Sequence, residues 1–212
     1  MPASKGHLIK QKPIPSGKKP PTPRSGALFI LTEAESSHED LSALIDRTLA
    51  GQAQSFADRR DRALLTELVY GIFRQQGYLD WLINRFSRVK TVHPAIRNIL
   101  RLGLYQILVL DRIPPSAAVN TSVELAKEAE GIPAARLVNG LLRNLLRQKG
   151  SLPVPDPKED RATFIAVTTS HPEWLVQRWL ARWGEEKTLE LCRSSNEIPP
   201  TTLRVNALKI DR

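Results

Sequence analysis

Apolar residues recur at the three- and four-residue spacing of α-helices through most of the chain, and glycine or proline residues separate the runs. The first clear runs cover residues 41–49, 64–73 and 79–86. Gly77 lies between the second and third of these runs. Because glycine lowers helix propensity, we expect it to interrupt the helix there.

The most apolar run predicts a central helix. It begins at Pro94, which suits the first turn of a helix, and continues through Leu108 with apolar side chains on nearly every face. Its most hydrophobic part, residues 99–110, contains Arg101 and Gln106 and is shorter than the roughly 20 apolar residues that a bilayer helix needs. We therefore expect a buried helix and no membrane span.

Two more helices are predicted before the proline-containing linker at residues 150–162, and another after it. One runs from Pro114 to Gly131, and the next from Pro133 to Gly150. Beyond residue 163, a capping box at residues 170–173 is expected to start a helix that Gly184 ends, with a strand-like segment at residues 202–206. The prediction is an all-α bundle followed by a small helical or α+β unit, divided into a basic tail (1–24), a helical domain (25–149), a linker (150–162) and an incomplete second unit (163–212).

Charge is concentrated near the start of the chain. The whole sequence has 31 Lys+Arg and 22 Asp+Glu, a net charge of +9. Six of the basic residues precede Glu33, the first acid, so the remainder carries 25 basic and 22 acidic residues, a net charge of +3. With six prolines and few apolar groups, the tail is predicted to be disordered. Two interpretations stay open for it, a phosphate-binding arm and a solubilising leader.

The last helix of the bundle combines a leucine-rich stripe with a basic face. Successive residues turn by about 100°, which places one set of residues within a sector of roughly 60° opposite the stripe. The set consists of Arg136, Gly140, Arg143 and Arg147, with Asn139 beside it. Guanidinium groups match phosphate geometry, and glycine allows close approach of a backbone. The sequence therefore predicts a phosphate-binding ridge, and a simply solvated helix face is the alternative.

A second basic cluster precedes the run at residues 64–73. Arg59, Arg60 and Arg62 lie where a helix N-terminus is predicted, and the backbone N–H groups there also favour phosphate. The neighbouring Asp58 and Asp61 leave another interpretation open, in which Arg60 or Arg62 pairs with these acids.

Other chemistry is poorly supported. The single cysteine, Cys192, cannot form an internal disulfide and is predicted to serve packing. The four histidines are scattered without metal-ligand spacing, and the sequence lacks a glycine-rich nucleotide loop. No secretory signal follows Met1, so we expect a cytoplasmic protein. Trp174, Trp179 and Trp183 are predicted to be core or interface residues, with stacking on RNA bases as the alternative.

Three motifs then occur in a characteristic order. They are Thr-Glu-Leu-Val-Tyr-Gly at residues 66–71, Ala-Val-Asn to Val-Glu-Leu-Ala-Lys at 118–127, and Leu-Val-Asn-Gly-Leu-Leu-Arg at 137–143. Together they resemble NusB-like RNA-binding domains over residues 24–149. The segments at 60–65 and 102–107, and the His-Pro-Glu-Trp-Leu and Pro-Pro-x-x-Leu-Arg-Val-Asn patterns near the end, resemble more closely the N-terminal part of Sun/RsmB-type ribosomal RNA cytosine-C5 methyltransferases.

The resemblance implies an RNA partner for the helical domain and a separate domain for catalysis. It implies that the helical domain docks on RNA, that ribosomal RNA is the partner, and that Arg24 belongs to an RNA-binding motif at the first helix. It also implies that S-adenosylmethionine and the two cysteine motifs act in a catalytic domain after residue 212, so this chain alone is expected to be inactive. That domain or a ribosomal protein is the expected protein partner. The alternatives are a NusB-like antitermination or RNA-processing factor, and a fragment of a longer reading frame.

Overall fold

The described residues of this computed structural model are 21–37, 39–87, 89–200, 202 and 204. They form seven α-helices and no β-strand, which confirms the predicted all-α class. The helices are α1 (Pro23–Ser36), α2 (Leu41–Gly51), α3 (Arg59–Phe86), α4 (Pro94–Leu108), α5 (Pro115–Arg147), α6 (Arg161–Thr169) and α7 (Glu173–Asn196). Residues 1–20 of the predicted tail and most of the strand-like segment lie outside the described residues.

Two compact units divide between Pro153 and Val154. The first is built around α4, where every residue from Asn98 to Ile107 is buried and where α1, α3 and α5 pack. The prediction of a central, nearly all-round buried helix is confirmed. None of the described helices is long and apolar enough to cross a membrane.

Local signals explain most helix starts. Asp40, Asp58 and Asp160 accept hydrogen bonds from first-turn backbone N–H groups of α2, α3 and α6, which satisfies donors that a helix leaves unpaired. At α1, the Thr22 side chain and Ser25 form a reciprocal capping box. Residues 23–24 of the predicted tail and 161–162 of the predicted linker are therefore helical, because these caps start α1 and α6 earlier than apolar spacing suggests.

The predicted interruption at Gly77 is wrong. Helix α3 runs without a break from Arg59 to Phe86. Replacing alanine by glycine in a helix costs only about 1 kcal/mol, whereas each buried leucine or isoleucine contributes about 1.5–3 kcal/mol. Leu68 and Ile72 before the glycine, and Leu79 and Leu82 after it, are buried in one core, so packing outweighs the local preference.

Two other glycines do break helices as predicted. Gly131 has φ 81° and ψ −170°, and Gly184 has φ 75° and ψ −178°. A residue with a β-carbon adopts such positive φ values only at a cost, so glycine suits both positions. Gly131 divides α5 into two segments, and Pro133 lies in the first turn of the second.

The second unit starts differently from the prediction. Ser170 ends α6 in the left-handed conformation, with φ 54° and ψ 39°, and Pro172 precedes α7 without a side-chain cap. The predicted capping box at residues 170–173 is therefore wrong, because only three residues join two helices and Ser170 is used to close the first. The small core of this unit comprises Ile165, Ala166, Val176 and Cys192.

Candidate nucleic-acid interface

The second segment of α5 separates apolar and basic side chains as the sequence predicts. Val138, Leu141, Leu142 and Leu145 are buried against the rest of the first unit. The opposite face holds three exposed arginines and an exposed glycine. We refer to this face as the α5 ridge, and it consists of Arg136, Asn139, Gly140, Arg143 and Arg147.

Among the described residues, neutral side chains contact Arg143 and Arg147 of the α5 ridge, and no carboxylate pairs with its three arginines. Arg143 donates from Nε to Oδ1 of Asn139 at 2.8 Å, and Arg147 donates from Nη2 to Oδ1 of Asn144 at 3.3 Å. The Arg–carboxylate ion pairs among the described residues involve other arginines, namely Arg47, Arg97, Arg101 and Arg161. The positive charge of the α5 ridge therefore remains available to an anion.

Gly140 leaves an opening in the middle of the α5 ridge. A β-carbon placed there would meet nothing within 4 Å. The glycine is therefore not required by helix packing, although it weakens an exposed helix by about 1 kcal/mol relative to alanine. Its absent side chain exposes helix backbone between Arg136 and Arg143, where a phosphate–sugar chain could approach closely.

The second predicted cluster lies at the start of α3. Asp58 caps the helix by accepting from the backbone N–H of Arg60 at 2.8 Å. Arg62 donates from Nη1 to the carbonyl oxygens of Phe56 and Ala57, at 2.8 and 2.9 Å. Arg62 therefore closes the loop before α3, and within the described ranges it forms no ion pair with Asp58 or Asp61.

Arg59 and Arg60 are exposed at this helix end. Neither forms an ion pair with Asp58 or Asp61 within the described part of the chain. Their side chains project from the first turn of α3, where the helix dipole also favours an anion. The contribution of Arg59, Arg60 and Arg62 to RNA binding stays a prediction.

Arg24 lies in the first turn of α1 and reaches across to α4. Its Nε donates to Oε1 of Gln106 at 2.6 Å. Burial lowers the pKa of Arg24 from its ordinary value, and the nearby charge of Asp61 partly opposes this shift. The guanidinium is still charged at neutral pH, because arginine is not deprotonated in proteins.

Sequence reasoning missed the role of Arg101. Its side chain is only 7% exposed and forms two hydrogen bonds with Asp80, from Nε at 2.9 Å and from Nη2 at 2.7 Å. Nη1 also donates to Glu35 and Asn98, both at 2.7 Å. Burial lowers the pKa of Arg101, but the two carboxylates outweigh it and the net shift is upward. This network joins α1, α3 and α4, and its only signal in the sequence is an arginine within an apolar run.

The second unit offers little for cofactor chemistry. Burial raises the pKa of the Cys192 thiol, which favours its protonated form. An open groove of about 560 Å³ lies between α6 and α7, lined by residues such as Phe164, Thr168 and Arg193. None of the described residues that line this groove is a glycine of the kind that forms a nucleotide-binding turn. The described residues contain no group of three or more His, Cys, Asp or Glu side chains that could hold a metal ion.

The tryptophans of α7 differ in exposure. Trp179 is partly buried and packs between His171 and Trp183, with ring centroids 5.9 and 6.2 Å away. Trp174 is 64% exposed and Trp183 is 40% exposed, and the Arg182 guanidinium lies 5.2 Å from the Trp183 ring centre. Trp179 therefore packs against the core, as one of the two predicted roles requires, whereas an interface role for the exposed Trp174 stays a prediction.

Family comparisons agree with the two-unit division. Residues 21–147 match the model of the NusB family. Residues 171–212 match a second model, described as the RsmF/B-like methyltransferase, ferredoxin-like domain. The first match contains all eight residues that the sequence singled out for RNA binding.

Curated relatives share the name ribosomal RNA small subunit methyltransferase B. The Bacillus subtilis (strain 168) protein, named as a probable one, is 41% identical over 154 residues, covering 72% of this chain and 34% of the relative. The probable Synechocystis protein is 36% identical over 192 residues, covering 89% and 42%. The Cronobacter sakazakii protein is 38% identical over 149 residues, covering 69% and 33%. The chain thus spans between about a third and two fifths of the length of these relatives.

Proposed function

Because the chain belongs to the NusB family, we propose that its first unit docks on folded RNA through the α5 ridge and the basic starts of α1 and α3. The observation that carries this proposal is the three exposed arginines of the ridge, Arg136, Arg143 and Arg147, none of them paired with a carboxylate within the described part of the chain. A solvated helix face usually mixes signs, since opposite charges four residues apart stabilise a helix. An acid-free face opposite a buried stripe is better suited to phosphate.

The RNA that we propose is ribosomal RNA of the small subunit. This choice is supported by the names of the relatives and by the second match at residues 171–212. A free-standing antitermination factor, the alternative function, would have no need of the second unit. We therefore propose RNA binding as the activity of this chain, whose single cysteine, Cys192, is buried.

A charge-reversal variant tests the ridge. Changing Arg143 and Arg147 to glutamate should weaken binding to a small-subunit ribosomal RNA transcript by about 20-fold or more at 0.15 M salt, because each lost phosphate contact reduces affinity about fourfold to fivefold under those conditions. Fluorescence anisotropy with labelled transcript measures the effect. The thermal unfolding midpoint should stay within a few degrees, since both side chains are exposed and lie opposite the buried leucines.

The matched control reverses Arg85 and Arg112, which are also exposed and lie outside the proposed interface. It changes the net charge by the same amount, so it separates a local contact from general electrostatic attraction. We expect the control to lose much less affinity than the ridge variant. Equal losses in the two variants would remove the α5 ridge from the proposed interface.

A further inference from the structure

Gln106 is a buried polar residue on α4 that contacts one of the proposed RNA-binding arginines. Gln106 is only about 1% exposed, and this polar residue lies among leucine and isoleucine residues in the core of the first unit. Burying an amide is costly unless its donors and acceptors are used. Here the Nε2 group donates to the carbonyl oxygen of Leu102 at 2.8 Å, and Oε1 accepts from Arg24 at 2.6 Å.

The contact fixes one edge of the Arg24 guanidinium and leaves the other edge without a hydrogen bond among the described residues, while the charge of Asp61 lies nearby. Only Nε is used, and neither Nη1 nor Nη2 of Arg24 has a hydrogen-bond partner among residues 21–200 that the structure describes. The edge that carries Nη1 and Nη2 is one that binds phosphate through two parallel hydrogen bonds. Arg101 shows the contrasting arrangement, in which Nε and both Nη groups are all used inside the protein.

The geometry of Gln106 also limits the movement of Arg24. The bond to the Leu102 carbonyl fixes the amide plane, so Oε1 holds a defined position in the last turn of α4. The α5 ridge repeats this pattern at the surface, where Oδ1 of Asn139 accepts from Nε of Arg143 at 2.8 Å.

We propose that Gln106 is a positioning residue for RNA binding, which holds the Arg24 guanidinium with its Nη edge directed to a phosphate. The inference rests on the proposed function. Gln106 itself does not touch RNA, because it is buried. It lowers the ordering cost that a long side chain otherwise pays on binding, which corresponds to about a twofold to tenfold gain in affinity.

A double-mutant cycle separates positioning from simple stabilisation. Gln106→Leu removes the acceptor at similar size, and Arg24→Ala removes the side chain that is positioned. We expect Gln106→Leu to weaken binding to the ribosomal RNA transcript about twofold to tenfold in the otherwise unchanged protein, and to have no further effect in the Arg24→Ala background. A role confined to core stability would lower affinity equally in both backgrounds, and that result would overturn the inference.

A second variant and an NMR measurement distinguish a lost contact with Arg24 from a misfolded protein. Gln106→Asn withdraws the acceptor by one methylene while keeping an amide. In ¹H–¹⁵N NMR spectra of the protein without RNA, the Nε–H signal of Arg24 should be protected from exchange in the unchanged protein and lost in Gln106→Asn. An Arg24 signal that is equally protected in the two proteins would contradict the positioning role.

The cycle also distinguishes this inference from the proposed function. If Arg24→Ala weakens RNA binding and Gln106→Leu does not, the RNA-binding proposal stands and the role of Gln106 is wrong. If the α5 ridge variant loses affinity and Arg24→Ala does not, Arg24 contacts no phosphate, and the role of Gln106 is again wrong. If no variant alters binding, both proposals fail together.

Discussion

Replacing Arg101 with methionine is expected to lower the free energy of unfolding by about 3 kcal/mol. The substitution keeps a long side chain in the core but removes a guanidinium that bonds Asp80, Glu35 and Asn98. Glu35 would then lose its ion-pair partner, and Asp80 would keep only the longer contact with Arg97, at 3.5 Å. The value lies at the lower end of the range for buried ion pairs, because the side chains of Asp80 and Glu35 are 26% and 35% exposed and water can solvate them.

Urea unfolding followed by circular dichroism measures this loss, and Arg97→Met is the matched control. Arg97 lies one turn earlier on α4 and also contacts Asp80, but at 3.5 Å and with 23% of its side chain exposed. Partly exposed pairs of this kind contribute about 1 kcal/mol or less. A comparable loss in both variants would show that the Arg101 network has no special role in joining the helices.

Gly71→Ala is expected to lower the free energy of unfolding by about 2–3 kcal/mol. A β-carbon at this position of α3 would lie 2.0 Å from the hydroxyl oxygen of Tyr105 and 2.1 Å from its Cζ atom. The Tyr105 ring is buried and its hydroxyl donates to Glu67 at 2.6 Å, so it cannot move aside without losing that bond. This cost exceeds the gain of about 1 kcal/mol that alanine brings to a helix.

Gly140→Ala provides the opposite case within the same unit. A β-carbon there meets nothing within 4 Å, and the residue is exposed. We expect this variant to raise the free energy of unfolding by about 0.5–1 kcal/mol. Thermal or urea unfolding of both variants, side by side, tests whether α3 and α4 pack as closely as the structure shows. A neutral effect of Gly71→Ala would contradict that packing.

Features that depend on one helix were accessible from the sequence. The leucine-rich stripe and the arginines of α5 follow from residue spacing alone, because a helix turns each residue by a fixed angle. The breaks at Gly131 and Gly184 follow from the same local logic, since each glycine interrupts an amphipathic pattern and adopts a positive φ. The central position of α4 follows from its nearly continuous apolar surface.

Features that depend on several helices were not accessible. Apolar spacing shows Arg101 only as an irregularity, and its partners Glu35 and Asp80 come from helices whose packing the sequence does not specify. The contact of Arg24 with Gln106 joins residues 82 positions apart. The predicted helix break at Gly77 is wrong for a related reason. The free-energy cost of one glycine in a helix is small compared with the free energy gained by burying the apolar side chains on both sides of it.

The most direct test of the central claim is the salt dependence of RNA binding. If about four cationic groups contact phosphates, the logarithm of the affinity for a small-subunit ribosomal RNA transcript should fall with the logarithm of salt concentration with a slope near −3. Changing Arg143 and Arg147 to glutamine should reduce that slope to about −1.5, because two of the contacts are lost. A slope near zero in the unchanged protein, or the same slope in both proteins, would contradict RNA docking through the α5 ridge.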